Sequence, residues 1–310
     1  MKIGNVRIKN NIVLAPMAGY TDLAFRSLCQ RYGAGLVCTE MISSQALHYK
    51  NKKTEDMLLS VDKKPCAVQI FGHNPEIMAE AVKNPLIEKF DIIDINMGCP
   101  APKIVKNGDG GALLKNIDLA RKIIESCVKA SAKPITVKFR IGFDESDINA
   151  IKFAKMCEDA GASAIAVHGR TVKQGYSGTV DYATIKAVKE SVKIPVFANG
   201  DCRSKEDVEK ILNLTGADGV MVGRAAVGTP EIFAQLSKTK SAKIDKFEQI
   251  KFHYETMLKF YSENYVMKTL RAHLASYLKP MFGSRAVVEA LKINKYSEFY
   301  AFLCTLFNKN

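Results

Sequence analysis

The side chains best suited to chemistry in this chain fall in short clusters between Pro16 and Arg224. Cys99 stands between Gly98 and Pro100, whereas most of the other cysteines sit inside apolar runs. A thiol near its free pKa of roughly 8.5 stays mostly protonated at neutral pH, so it can act as a proton donor. Lys138 and Arg140 stand two residues apart, as do His168 and Arg170. The lysine offers a fixed ammonium that can stabilise an anion on a bound ring cofactor, and the imidazole a hydrogen bond to it. Asn199-Gly200-Asp201 and Gly223-Arg224 join backbone that a ligand can approach closely to a guanidinium able to pair with a phosphate dianion. Each group also has a plainer reading: an inert loop thiol, a salt-bridged lysine, a satisfied core histidine. The readings part on whether the fold gathers these groups.

Short β-type apolar runs recur at 12–17, 36–41, 66–71, 92–97, 135–140, 164–169, 196–200 and 219–224. They lie about 30 residues apart, the length of one βα unit. Helical spacing fills the intervals. Thr21 is placed to cap a helix over 22–32 that Gly33 stops. The stretch 116–130 carries Ile117, Ala120, Ile123, Ile124, Cys127 and Val128 on one face. Ser204 opens a helix with Val208, Ile211 and Leu212, and Gly216 ends it. Eight alternating units predict an α/β fold, a (β/α)8 TIM barrel. The rival is an open doubly wound sheet, and the lack of a Gly-x-Gly-x-x-Gly turn after the first strand weighs against it.

In a barrel the site lies at the carboxyl ends of the strands. Pro16, Met17, Ala18, Glu40, Met41, Gln69, Asn96, Lys138, Arg140, His168, Arg170, Asn199, Gly223 and Arg224 all fall there. Asn199-Gly200-Asp201 and Gly223-Arg224 end the last two strands, where barrels often bind phosphate. The interval after the fourth run is rich in glycine and proline, from Gly98-Cys99-Pro100 to Gly110-Gly111, and reads as a mobile loop over the site.

After about residue 240 the texture changes. The stretch 238–246 reads as a polar linker. From Phe247 the pattern is helical only, which predicts three or four helices in a separate small all-α bundle. The expected division is therefore 1–240 for the barrel and 241–310 for the helical domain. Residues 241–310 carry 11 Lys and Arg against 6 Asp and Glu, and Lys268, Arg271, Lys279 and Arg285 are candidate contacts to a polyanion. The whole chain has a formal charge of +13, which favours a nucleic acid or an anionic surface as partner, although a lysine-rich proteome gives the same balance. The eight cysteines form no Cys-x-x-Cys pair, so reduced thiols and no metal are expected. The first residues lack a signal-peptide layout, and no apolar run nears the roughly 18 residues of a membrane span. A cytoplasmic monomer with no membrane association is the expectation.

These motifs resemble the tRNA-dihydrouridine synthase family. The matching segments are Ala15-Pro16-Met17-Ala18-Gly19-Tyr20-Thr21-Asp22, Asp94-Ile95-Asn96-Met97-Gly98-Cys99-Pro100, Val137-Lys138-Phe139-Arg140, Val167-His168-Gly169-Arg170-Thr171, Ala198-Asn199-Gly200-Asp201 and Met221-Val222-Gly223-Arg224. The loop from Lys106 to Leu114 is most similar to the bacterial B-type subgroup. The resemblance implies FMN as prosthetic group, NADPH as reductant, and reduction of the C5–C6 bond of selected uridines in the D-loop of tRNA. It implies Pro16, Met17 and Ala18 lining the flavin, with Gln69, Lys138 and His168 at its polar edge. Asn199, Gly200, Asp201, Gly223 and Arg224 would hold the ribityl phosphate. Cys99 would protonate C5, and Asn96, Arg140 and Arg170 would contact the extruded uracil. A target base must leave the RNA fold to reach such a site.

Two other readings stay open at this point. An FMN barrel acting on a free pyrimidine, as in dihydroorotate or dihydropyrimidine dehydrogenases, explains the barrel and the thiol but not the basic tail. A non-catalytic RNA-binding protein on the same scaffold explains the tail but leaves Cys99, Lys138 and the phosphate motifs without a role.

Overall fold

The computed structural model describes residues 1–60, 63–237 and 245–309. A hairpin of β1 (Lys2–Ile3) and β2 (Val6–Arg7) precedes eight strands. These are β3 (Ile12–Leu14), β4 (Val37–Ser43), β5 (Cys66–Phe71), β6 (Ile92–Met97), β7 (Ile135–Arg140), β8 (Ala164–His168), β9 (Val196–Asn199) and β10 (Gly219–Val222). Neighbouring strands pair in parallel from β4 through to β10, and β10 pairs with β3. A bridge between Val13 and Leu36 brings β3 against the start of β4, so the ring closes into the expected barrel. Ile3 and Ile8 pack with Val13, Ala67, Ala164 and Phe197, so the hairpin plugs the amino-terminal end. The opposite end is left free for a site.

Three expected strands, 66–71, 92–97 and 135–140, match the observed bounds. The first is shorter than its apolar run. It stops at Leu14, because Pro16 has no N–H for a ladder and the chain then turns, with Thr21 N–H donating to Met17 O at 3.0 Å. That turn corrects the expected cap. The Thr21 hydroxyl closes the turn on Met17, and Asp22 caps the helix Leu23–Arg31, its Oδ1 accepting from Ala24 and Phe25 at 2.9 Å. Ser204 opens its helix as expected, in a capping box with Asp207, and the helix Ile117–Ala130 is capped by Asn116. Gly216 ends that helix at φ 64°.

The segment after β6 is more built than a loop. Pro102–Lys106 is a helix and Gly110–Lys115 a 3-10 turn. His73 Nδ1 bonds Asp109 at 2.8 Å from the neighbouring βα unit.

The tail holds helices Lys246–Leu258, Glu263–Thr269, Arg271–Lys292 and Tyr296–Phe307, the third broken at Gly283, where φ is 75°. The expected boundary at 240–241 and most of the linker lie outside the described residues. Tail and barrel share one apolar cluster, in which Leu23 and Ala24 join Phe247, Ile250, Tyr254, Leu274, Tyr277 and Phe299. At its edge Asp22 accepts from His253 Nε2 at 3.0 Å, His253 Nδ1 bonds Tyr277 Oη at 2.8 Å, and His273 Nε2 lies 3.6 Å from Asp22. Both histidines are fully buried. Lys246 pairs with Glu231 at 2.9 Å and Gln249 donates to Tyr32 at 2.8 Å, so the first tail helix is fastened at several points.

Burial alone would raise the Asp22 carboxyl, but His253 and His273 outweigh it and hold the group well below the ordinary carboxylate range. A depressed folded-state pKa stabilises the fold above the unfolded value near 4, and that stability is lost as the pH falls. We expect Asp22→Asn to cost ~3 kcal/mol at pH 7, the scale of breaking a buried pair, and to flatten the acid side of the stability profile. Thermal unfolding between pH 3 and 7 measures both, and equal melting temperatures at pH 7 would refute the Asp22–His253 contact as a fastening.

Candidate active site

The carboxyl ends of β3 to β10 open into a cavity of about 1260 Å³. Every catalytic, cofactor or substrate candidate named above lines it except Arg170. Pro16, Met17 and Ala18 come from the turn after β3 and form an apolar stretch of wall. The remaining candidates come from β5 through β10 and the loops that follow them.

Cys99 is half-buried on this wall. Its loop is held from three sides. Asn96 Oδ1 accepts the N–H groups of Gly98 at 3.1 Å and Cys99 at 2.9 Å. The Cys99 carbonyl accepts from Gly111 N–H at 3.0 Å, and Arg140 Nε donates to Gly98 O at 2.9 Å. Glycine is needed at 110, where φ is +57° and a Cβ would come within 3.0 Å of Cys99 Cβ. Burial pushes the thiol above its ordinary pKa, with the Ala101 N–H, Arg140 and Lys138 offsetting part of the rise. At neutral pH the group therefore keeps its proton.

The cations that face the cavity differ in how they are partnered. Among the described residues Lys138 Nζ has no hydrogen bond or ion pair. Burial, reinforced by Arg140, lowers its pKa to about 8, with Asp94 acting against the fall. An anionic edge placed beside it would restore the ammonium. His168 is lowered to about 2 by burial and then by Lys138, Arg140, Arg170 and Arg224, so it presents a neutral imidazole. Arg140 Nη1 donates to Thr171 O at 2.8 Å and Gly175 O at 2.6 Å, tying the loop after β8 to the loop that holds Cys99.

At the far side, β9 and β10 end in a backbone cradle. Asn199 Nδ2 donates to Met221 O at 2.8 Å, which holds the two strand ends together. Gly200 sits at φ +139°, and a Cβ there would meet Val180 at 2.8 Å. Asp201 adopts φ 45°. Among the described residues the N–H groups of Gly200, Asp201, Gly223, Arg224 and Ala225 find no acceptor, and all five residues line the cavity. Free amides grouped at one end of a cavity suit a phosphate. Arg224 also points here, its Nη2 donating to Asp201 Oδ1 at 3.1 Å.

Arg170 lies beneath the site. It is buried, and its guanidinium donates to Asp201 at 2.6 Å, Ser177 O at 2.9 Å and Gly178 O at 2.7 Å. That hydrogen bond to Asp201 keeps the carboxyl below its ordinary range. The sequence did not point to Tyr176. Its exposed ring receives the guanidinium of Arg224 at 4.7 Å and that of Arg140 at 5.5 Å. An aromatic in the run Gly175-Tyr176-Ser177-Gly178 was the available signal. Asp94, buried under the site, and Ser276, which brings the tail to the cavity, were also missed.

Comparison with known proteins adds a family. Residues 13–305 match the family model described as dihydrouridine synthase. The chain is 41% identical over 288 residues to a Vibrio vulnificus protein named tRNA-dihydrouridine synthase B, covering 90% of this chain and 89% of that one. It is 39% identical to a Rickettsia conorii protein named probable tRNA-dihydrouridine synthase, covering 97% of this chain and 96% of that one. A Pseudomonas aeruginosa tRNA-dihydrouridine synthase B is 39% identical over 92% of this chain and 89% of its own.

The environment of Cys99 sets how it reacts. Alkylation by iodoacetamide, followed by peptide mapping, should be slow at pH 7 and should rise with a midpoint above the free-thiol value of roughly 8.5. A midpoint below 8 would mean that the cations beside the thiol outweigh its burial.

Proposed function

Because the chain belongs to the dihydrouridine synthase family, whose members are flavin-dependent oxidoreductases, we propose that it reduces the C5–C6 bond of uridines in the D-loop of tRNA, with FMN bound in the barrel and NADPH as reductant. The observation that carries this reading is one cavity with a protonated thiol on one wall and a cradle of free amides on another.

The residues present fit FMN. The free amides of 200–201 and 223–225, with Arg224, would take the phosphate, and glycine at 200 permits the φ of +139° and the close packing on Val180 that shape this turn. Lys138 and Gln69 would face the polar edge of the ring system, the lysine meeting negative charge there, and neutral His168 would offer a hydrogen bond. Pro16, Met17 and Ala18 would pack on the ring. When bound, the flavin supplies a hydride to uracil C6. Cys99 holds a proton at the cavity wall and gives it to C5, which completes dihydrouracil. Arg140 holds the loops on either side, and Tyr176 offers a face on which an extruded base can stack.

A basic tail favours tRNA over a free pyrimidine as substrate. We assign 241–310 as the tRNA-binding region and the preceding barrel as the catalytic one. Ser276 of the tail stands at the cavity, so RNA on the tail is beside the site. Lys268, Lys279 and Arg285 are exposed, whereas Arg271 is half-buried and donates to Asn294 at 2.9 Å. The three exposed residues are the ones assigned to phosphate.

Purified protein should be yellow and release one FMN per chain on denaturation; FAD, or no flavin, would count against the assignment. Cys99→Ala should keep the flavin and NADPH oxidation but slow uridine reduction by about 10²–10⁴-fold, the usual loss with a general acid. A wild-type rate would remove Cys99 from the chemistry.

Each of Lys268→Ala, Lys279→Ala and Arg285→Ala should lower the slope of log affinity for tRNA against log salt by about 0.7–0.9. Filter binding at several salt concentrations reads this, and unchanged slopes would move recognition to the barrel loops.

A further inference from the structure

Three adjacent strands place a row of polar side chains just under the cavity. In the register of the sheet Gln69 of β5 stands beside Asp94 of β6, and Asp94 beside Thr136 of β7. Thr136 Oγ1 donates to Asp94 Oδ1 at 2.6 Å. Gln69 Nε2 donates to Asp94 Oδ2 at 2.7 Å, and Asn96 Nδ2 donates to Gln69 Oε1 at 2.9 Å. Asn96 Oδ1 then accepts from the backbone of Gly98 and Cys99. Asp94, Gln69, Asn96 and Thr136 are all buried.

The row has a direction. A carboxamide offers a donor at one end and an acceptor at the other, so flipping one forces its neighbour to flip. At the loop end the Gly98 and Cys99 amides can only donate, which requires Asn96 Oδ1 to face them. Asn96 Nδ2 then faces Gln69, Gln69 Oε1 must accept, and Gln69 Nε2 must find an acceptor at position 94. A carboxylate oxygen meets that demand. Both ends select the same orientation of both amides, and in a buried row a reversed link would leave two like groups facing each other without water.

We propose that Asp94 is a positioning residue, which sets the orientation of Gln69 and Asn96 and through them the placement of the Cys99 loop. Asn96, which also lines the cavity, thereby supports the loop of the proton donor as well as facing the substrate space, and the proposal rests on the reading of Cys99 as that donor.

The direction of the row supplies the test. Asn96→Asp keeps an acceptor for the loop amides but turns a second acceptor on Gln69 Oε1. Gln69 must then reverse and meet the Asp94 carboxylate acceptor to acceptor. Adding Asp94→Asn reverses the remaining link, because the new amide donates to Gln69 and its oxygen accepts from Thr136. Asp94→Asn alone keeps an acceptor for Gln69, with the Thr136 hydroxyl turning to accept. The single Asn96→Asp should therefore slow dihydrouridine formation by about 10²-fold, the scale of a misplaced reacting group, and change the rate of Cys99 alkylation at fixed pH. The double variant should recover to within about tenfold of wild type in both measures, and Asp94→Asn alone should be mild. Should Asn96→Asp fail to fold, recovery of soluble protein in the double variant reads the same coupling. A double variant no better than Asn96→Asp, or a wild-type Asn96→Asp, would overturn the proposal. Alkylation reads the thiol without turnover. Rescue of alkylation alone, in a protein whose Cys99→Ala form reduces uridine normally, would uphold the positioning and reject the acid.

Discussion

Desolvation inside a closed barrel is the constraint on which the rest of this site depends. A closed ring of parallel strands gives its polar side chains only two places, the interior and the carboxyl rim. Charges brought there lose water and must be paired, hydrogen-bonded or neutralised. Each case occurs. Arg170 is paired with Asp201, Arg140 is spent on three carbonyls, and Asp94 is hydrogen-bonded by Thr136 and Gln69. His168 is held neutral, and Cys99 keeps its proton. Lys138 is the exception, half-buried near other cations, with no hydrogen bond or ion pair among the described residues and a pKa lowered to about 8. An ammonium held in that state is stabilised by any anionic ring edge placed beside it, so the cost of burying it becomes affinity for one kind of ligand.

The same constraint shapes the join between barrel and tail. Asp22 caps the first barrel helix and pairs with His253 of the tail in one buried spot, so a single carboxylate serves local and long-range structure. Because Leu23 and Ala24 belong to the tail's apolar cluster, cutting the chain near 240 would expose a hydrophobic face on the barrel. Removing the tail therefore confounds any loss of RNA binding with lost cover. Changing exposed cations on its surface separates the two.

Most of the fold was legible in the sequence because parallel barrel strands are buried on both faces and read as unbroken apolar runs. Runs such as 66–71 and 135–140 end where their strands end. The run at 12–17 did not, since apolar character continues through Pro16 and Met17 after the ladder has stopped. The cap at Asp22 was misread by one residue, because Thr21 and Asp22 are both good caps and only the turn at Met17 decides between them. The segment at 98–111 was misread for a different reason. Its glycines and prolines signal a loop, yet two of those glycines are there to pack against Cys99.

The site was legible as a set of residue types, but less so as a set of roles. Side chains at strand ends announce themselves by being polar where a barrel strand should be apolar. That signal cannot say which of them face the cavity and which hold the others. Arg170 shows the difference. It is polar and stands at a strand end, yet it lies off the cavity with its guanidinium turned to protein. The residues with groups left over, Lys138 and the amides of 200–201 and 223–225, are the better candidates for ligand contact. A cavity lined by several polar groups that find no protein partner among the described residues leaves them free for a ligand.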